Sequence, residues 1–391
     1  MKILVISQYY EPEPFRISDI CRELVQRGHD VTVVTGVPNY PEGVTYPGYE
    51  KGQKKDEICD GVKIHRCFTI PRKTGTLYRL LNYYSYAFTA SNYVKKLDND
   101  FDVVFINQLS PVMMAQAGIA YSRKNKTPLV MYCLDLWPES LVAGGISRDS
   151  VIYKFFHRVS RKIYRKMDAI LITSRSFERY LCGQFGICRE KISYLPQYAE
   201  SLFDHVAEEK ETQGWHFTFA GNMGQVQSVQ TILEAAAKLT DVDAHFHLLG
   251  GGSDLERLQA LAEEKKLQNV TFYGRRPLEE MPTFYRKSDA MLITMADDPV
   301  LSLTLPGKVQ SYMAAGKAVI GAIDGETAAV IDDAQCGLCC QSRDADALAQ
   351  CIRDFISDPQ RDRYGRNARA YYEKHFTKEQ FFSHLEESLK G

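Results

Sequence analysis

Short apolar, β-branched runs alternate with segments of helical period from the first residues of this chain. Lys2-Ile3-Leu4-Val5-Ile6 is one such run. Ile17, Ile20, Cys21, Leu24 and Val25 then recur at helical spacing up to a stop at Gly28-His29, and Val31-Thr32-Val33-Val34-Thr35 is a second run. Strand, helix, glycine stop and strand make a βαβ unit, which predicts a parallel sheet. The runs are continuous rather than alternating, so both faces of the sheet are covered. Further strands are predicted at 103–106, 129–132, 169–173 and 192–196, with a helix near 111–124 and another opening at Ser174. Between 199 and 214 the chain turns polar and acidic, and the interdomain linker is expected there. The pattern then restarts, with strands at 217–220, 244–249, 270–273, 290–293 and 318–321 alternating with helices, and a turn-rich stretch leads into helices at 345–357 and 361–375. The expected class is α/β, with two doubly wound domains over 1–200 and 210–375. Ligands on such sheets bind beyond the carboxyl ends of the strands. Chemistry is therefore expected on strand-to-helix loops, in a central cleft that the two domains face.

Composition narrows the class. The 48 basic and 49 acidic residues leave a net charge of −1, which argues against general nucleic-acid binding. No window approaches the roughly 18–20 apolar residues of a membrane span, and the apolar start turns polar at Ser7-Gln8, unlike a signal peptide. A cytoplasmic protein is expected. The ten cysteines are scattered, several inside apolar runs, which suits reduced core thiols. Cys336-Gly-Leu-Cys339 lacks the second ligand pair that a zinc site wants, so no metal is expected.

Four segments could carry chemistry. Phe219-Ala220-Gly221-Asn222-Met223-Gly224 follows a strand and opens a helix; glycines there let backbone N–H groups approach a phosphate, or simply make the turn. In Leu303-Thr304-Leu305-Pro306-Gly307-Lys308 a lysine stands in a helix first turn, where the dipole opposes it. It is either a solvated lysine or one neutralised by a bound anion. Asp135-Leu136-Trp137-Pro138-Glu139-Ser140 places two carboxylates and a tryptophan at a strand's carboxyl end; it reads equally as a helix start with Trp137 in the core. The predicted helix at 151–167 carries Lys154, Arg158, Arg161, Lys162, Arg165 and Lys166, with Val151, Ile152, Phe155, Phe156, Val159 and Ile163 expected on its buried face. It is a solvated face or a surface for anionic lipid headgroups. The segment from Leu77 to Tyr86 could support such adhesion, or belong to a helical hairpin. The fingerprints of metalloproteases, serine hydrolases, kinases and dinucleotide-binding enzymes are absent.

With these segments in view the chain resembles bacterial family 4 glycosyltransferases of the GT-B fold, and more closely the fucosamine-transferase-like (WbuB-type) subfamily of surface-polysaccharide synthesis. The resemblance runs through PEPFRISDI (12–20), RGHDVTVVTGVPNYPEG (27–43), NYYSY (82–86), QLSP (108–111), DLWPES (135–140), FAGNMGQVQ (219–227), YGRRPLEEMP (273–282) and LPGKVQSYMAAGKAVIGAIDGE (305–326). It implies two Rossmann-like domains, with a nucleotide-sugar donor, UDP-linked, on the C-terminal one. It implies an acceptor on the N-terminal one and a final helix at about 376–391 that packs back on that first domain. It further implies metal-independent transfer with retention of configuration, the leaving phosphate taking the acceptor proton, and no cofactor besides the donor.

The positions where relatives hold the pyrophosphate with Arg and Lys are Asn222 and Gln227 here, and the usual Glu-x7-Glu pair falls on Leu303 and Ser311. The diphosphate role therefore shifts to Lys308, with Arg275 or Arg276 and the amides around Gly221 and Gly224. Thr304, Leu305, Pro306, Gly307 and Glu326 complete the expected donor side. Asp135 and Glu139 are expected to position the acceptor or stabilise the oxocarbenium. Phe15, Arg16, Asn39, Tyr40, Gln108, Ser110 and Trp137 are the expected acceptor-binding residues, and Arg158, Arg161, Lys162 and Arg165 the membrane-surface residues. The expected partners are a lipid-linked saccharide acceptor and the anionic inner face of the plasma membrane, where the protein would sit peripherally; nucleic acid is not among them. A UDP-sugar 2-epimerase, an NAD(P)-dependent enzyme and a non-catalytic GT-B subunit are the alternatives.

Overall fold

A computed structural model describes residues 1–72, 75–143, 145–204, 206 and 213–391; of Thr76, Leu77 and Ala143 only the backbone is described. Seven of the sixteen residues of the expected linker, Glu208 to Glu211 among them, lie outside the described residues. The chain divides into two compact units. The first holds Met1–Thr173, Phe177–Leu195 and His384–Gly391, and the second Ser174–Ser176 and Pro196–Ser383.

The strands of the first unit are β1 (Lys2–Ile6), β2 (Asp30–Gly36), β3 (Asp56–Cys59), β4 (Val62–Cys67), β5 (Val103–Gln108), β6 (Leu129–Cys133), β7 (Ala169–Ile172) and β8 (Ile192–Tyr194). Their order in the sheet is β3-β4-β2-β1-β5-β6-β7-β8. All neighbours are parallel except β3 and β4, an antiparallel pair at the edge. β1 shows why the centre is buried: Ile3, Leu4, Val5 and Ile6 are all fully covered, as the uninterrupted apolar run requires. The helix Ile17–Gln26 packs through Ile17, Ile20, Cys21 and Leu24, at the spacing of one helical face. β3 and β4 are not foreseen by the sequence reading. They precede a single 19-residue helix, Thr76–Val94, where a helical hairpin was one expectation. Seven of the last eight residues of the chain fall in the helix Lys378–Lys390, and His29 Nε2 lies 2.8 Å from Glu386 Oε1.

In the second unit β9 (Trp215–Ala220), β10 (Ala244–Leu249), β11 (Val270–Gly274), β12 (Ala290–Thr294), β13 (Ala318–Ala322) and β14 (Gly337–Cys340) run in the order β11-β10-β9-β12-β13-β14. Every neighbouring pair is parallel. Phe217, Phe219, Ile232, Phe246, Leu292, Ile320, Leu348 and Phe355 meet in one buried cluster. β14 carries Cys339 and Cys340 in a stretch expected to be turn-rich; all cysteines are free thiols. Both sheets reverse their winding at one place, between β1 and β5 in the first unit and between β9 and β12 in the second. Loops at such a switch point diverge to opposite faces and leave a crevice at the strands' carboxyl ends.

Candidate functional site

The second unit's switch point is lined by the loops after β9 and β12. The loop after β12 ends in Pro306, and the helix Gly307–Ala314 begins there with Lys308 in its first turn. Lys308 reaches back over β9, its Nζ 4.0 Å from the centre of the Phe219 ring. Burial pushes its ammonium down to about 7, and no carboxylate among the described residues offsets the shift. Gly221, with φ +150°, makes this approach possible: a Cβ there would stand 2.5 Å from Lys308 Nζ. Tyr312, two turns into the helix region, holds the strand end; its hydroxyl accepts from Ala220 N at 3.1 Å and donates to Ala220 O at 3.2 Å.

A second glycine loop, overlooked in the sequence, abuts the first. Gly250, Gly251 and Gly252 follow β10, and a Cβ on Gly250 (φ +132°) would lie 1.8 Å from Gly221 O. The loops are tied by Gly221 N donating to Leu249 O and Met223 N to Gly251 O, both at 2.9 Å. Arg275, exposed after β11, flanks them, its Nε 3.2 Å from where a Gly251 Cβ would be. Three successive glycines at a strand's carboxyl end were a legible signal for close backbone packing. The crevice thus combines a desolvated ammonium, an exposed guanidinium and glycine backbone, the chemistry that receives a phosphate ester.

Several expected donor residues prove otherwise engaged. Gln227 caps its own turn, its Oε1 accepting from Asn222 Nδ2 and Gly224 N, each at 3.1 Å. Arg276 turns to Tyr273 O (3.2 Å) and Glu280 (3.8 Å), so Arg275 is the arginine beside the glycines. Glu326 is buried, with both oxygens occupied within the second unit: Arg175 N donates to Oε1 at 2.9 Å and Ser176 N to Oε2 at 3.0 Å. Thr304 accepts the Thr327 hydroxyl through its carbonyl at 3.0 Å, and the Leu305 side chain is buried.

In the first unit the loops after β1 and β2 bring three rings together. Phe15 stacks on Tyr9 at 5.0 Å and lies 5.2 Å from Tyr40, both Phe15 and Tyr40 remaining partly exposed. Beneath them Glu13 accepts from Asn39 N (2.8 Å) and Tyr40 N (2.7 Å). Burial raises its carboxyl to about 7 against the pull of those N–H groups. Arg16 is partly exposed at the start of the following helix. Asp135 follows β6 and accepts the Ser110 hydroxyl, which also lies 2.7 Å from Ser140 Oγ. Burial raises its pKa, while bonds from Ser110, the Leu136 amide and Ser140 hold it down.

Four first-unit expectations are corrected. Trp137 is 1% exposed and packs edge-on to Phe156 at 4.9 Å, so it is core. Glu139 is equally inaccessible: Arg148 Nη2 (3.0 Å), Tyr153 OH (2.6 Å) and Tyr180 OH (2.6 Å) saturate its carboxylate. Gln108 is buried between Asp135 O (3.0 Å) and the Tyr164 hydroxyl (3.0 Å). Asn39 is buried with its amide bonded to Val37 O and Arg72 N, both at 2.8 Å. These polar side chains are satisfied structural groups, as buried polar atoms generally must be.

The basic helix is observed as Val151–Tyr164, capped by Ser150 Oγ accepting from Tyr153 N at 3.1 Å. Its buried face is Tyr153, Phe156, Ser160, Ile163 and Tyr164. Val151, Ile152 and Phe155, expected inside, are 84%, 54% and 52% exposed. They continue a surface that also exposes Lys154, Arg158, Arg161, Lys162 and Arg165. Arg165 additionally donates from Nε to Phe185 O at 2.7 Å.

Comparison with known proteins gives the class. Residues 201–371 match the family "Glycosyl transferases group 1" and residues 16–197 the family "Glycosyltransferase Family 4". Both matches are to glycosyltransferase families, and the two Rossmann-like units have the architecture of the GT-B fold. Among curated relatives it is 24% identical, over the full length of both chains, to WcaI of Escherichia coli (strain K12), named for colanic acid biosynthesis glycosyl transfer. It is 26% identical to WbjE of Pseudomonas aeruginosa, named as a glycosyltransferase, over 58% of this chain and 62% of the relative. Among solved structures, Anabaena HepE in complex with UDP and glucose superposes with a TM-score of 0.72 at 16% identity, covering all of both chains.

Proposed function

We propose that this chain is a retaining, metal-independent transferase of the WbuB type. It moves an N-acetylated amino or deoxyamino sugar from a UDP-sugar to a lipid-linked saccharide in O-antigen or capsule synthesis. The observation that carries the donor half is Lys308: a partly buried ammonium without a carboxylate partner among the described residues, set against two glycine loops at the switch point. A diphosphate supplies the missing counter-charge, and as the C1–O bond breaks its electron pair passes to the phosphate oxygen. Lys308 and Arg275 stabilise that developing charge as preorganised donors. The acceptor hydroxyl attacks C1 and its proton passes to the same leaving phosphate, which departs as UDP. The likeness to a UDP-binding structure and to WcaI supports this reading.

On the first unit the Tyr9–Phe15–Tyr40 rings and Asp135 are proposed to receive the acceptor sugar. Val151, Ile152 and Phe155 with Lys154, Arg158, Arg161 and Lys162 are proposed to hold the protein on anionic lipid at the inner face of the plasma membrane. Among the described residues no helix is long and apolar enough to cross a membrane.

The test is UDP binding and sugar transfer by Lys308→Ala, with and without EDTA. Loss of both in a folded variant, with wild-type transfer indifferent to EDTA, is the expected result. Full transfer by Lys308→Ala refutes the role of Lys308, and loss of wild-type transfer in EDTA refutes metal independence.

A further inference from the structure

The first unit contains a cavity of about 440 Å³ that is separate from the rings and carboxylate described above; Lys55, Arg66, Phe68, Asn92, Tyr93 and Lys96 are among its lining. No carboxylate belongs to that lining. The loop before it adds exposed Lys51 and Lys54, while Asp56 is held by His65 and Glu57 by Arg66. Arg66 is 3% exposed, and while its Nε bonds Glu57 at 3.0 Å and its Nη2 bonds Glu11 O at 2.8 Å, its Nη1 is buried with no hydrogen-bond partner among the described residues. This nitrogen is an unmet donor on a guanidinium whose charge Glu57 already offsets, so it can add a hydrogen bond to an anion while Lys55 and Lys96 add charge.

An apolar track leads to this basic cavity. Phe68 on its rim is 65% exposed, and Thr89 of the helix Thr76–Val94 donates to the Phe68 carbonyl at 2.7 Å. The same helix exposes Tyr78, Leu81, Tyr84 and Phe88, the last at 69%. Steps of three and four residues keep these four on one helical face, a stripe about 15 Å long from the rise of 1.5 Å per residue. Exposed large apolar side chains scattered singly need no explanation, but a contiguous stripe ending at a cationic cavity does.

We infer that this cavity and stripe bind a single-chain lipid phosphate, the phosphate held by Lys55, Arg66 and Lys96 and the hydrocarbon lying along Phe68, Phe88, Tyr84 and Leu81. The inference rests on the lipid-linked acceptor proposed above and names where its lipid portion sits. The occupant is one lipid molecule rather than a bilayer, because Lys55, Arg66 and Lys96 converge on one cavity and the apolar residues form a narrow track.

The test is calorimetric titration with farnesyl phosphate below its micelle concentration, with farnesol and inorganic phosphate as controls, on wild type, Lys55→Glu/Lys96→Glu and Phe68→Ser/Phe88→Ser. All four positions are exposed, and UDP binding by the same samples reports an intact second unit. Farnesyl phosphate should bind wild type, at least tenfold more weakly to either double variant, and the lysine variant should leave farnesol binding unchanged. Absence of binding to wild type, unchanged affinity in both variants, or full competition by inorganic phosphate overturns the inference. If sugar transfer to a lipid-linked acceptor persists in that case, the proposed function stands without this cavity. If farnesyl phosphate binds as expected but only water-soluble acceptors are glycosylated, the lipid-linked reading falls instead.

Discussion

Replacing Lys308 with methionine should make the second unit more stable and weaken its hold on the donor. The side chain keeps nearly the same length and apolar stem but loses the charge. Burial lowers the Lys308 ammonium from 10.5 to about 7. At about 1.36 kcal/mol per pKa unit, keeping it charged in the folded state at pH 6 costs about 5 kcal/mol. The Phe219 ring beneath it returns about 1–2 kcal/mol of that. The native pKa lies below the unfolded one, so between pH 7 and 10.5 the unfolded chain binds more protons and stability rises with pH. At pH 9 the remaining cost is about 2 kcal/mol. Lys308→Met should therefore gain about 3 kcal/mol over wild type at pH 6 and only about 2 kcal/mol at pH 9. The chain has two tryptophans, Trp137 in the first unit and Trp215 in the second. Urea unfolding followed by fluorescence in a Trp137→Phe background thus reports the second unit alone. UDP affinity should fall about 10–150-fold, the worth of a charge-assisted bond. A variant that is less stable than wild type at pH 6, or equally shifted at both pH values, refutes the desolvated-ammonium reading; undiminished UDP binding refutes the donor role.

The same lysine predicts that UDP binding takes up a proton, so wild-type affinity should fall as pH rises from 7 to 9; calorimetry in buffers of different ionisation enthalpy checks this. Gly221→Ala should weaken UDP binding by displacing Lys308, whereas Gly250→Ala, whose Cβ would meet Gly221 O at 1.8 Å, should destabilise the second unit itself, seen as a lowered thermal midpoint. Glu139→Ala should destabilise by about 1–3 kcal/mol, because it removes the acceptor of the Tyr153 and Tyr180 hydroxyls. Asp135→Asn should leave the melting temperature near wild type and lower transfer. If Glu139→Ala melts like wild type, the structural assignment of that carboxylate is wrong. Removing charge at Arg158, Arg161 and Lys162 should weaken binding to anionic vesicles by about 1 kcal/mol per residue at low salt. Ile152→Ser/Phe155→Ser should weaken it further, and unchanged sedimentation with vesicles would leave the helix a solvated face.

The linear pattern determined most of the architecture. Continuous β-branched runs separated by helical periods identify two parallel, doubly wound domains, because strand and helix periodicities are local properties of the chain. The strand-to-helix loops bearing Gly221 and Lys308 were equally legible, since a glycine turn and an ill-placed first-turn lysine are visible as sequence. The edge pair β3–β4 was not, because its residues alternate charge with apolar positions and its pairing is non-local. Which polar residues remain free was not legible either. Glu139, Gln108, Asn39 and Glu326 look like site residues in a sequence, but in the fold their oxygens are filled by Tyr153 and Arg148, by Tyr164, by Arg72 and by the 175–176 amides. Conversely Val151, Ile152 and Phe155 read as core until the helix packs through Tyr153 and Phe156 instead. Tertiary structure alone decides such matters, because hydrogen-bond satisfaction and burial depend on partners distant in sequence. The desolvation of Lys308 is of the same kind: its residue type and place in a first turn are written in the sequence, but its pKa follows from the Phe219 ring and the glycine backbone that close around it.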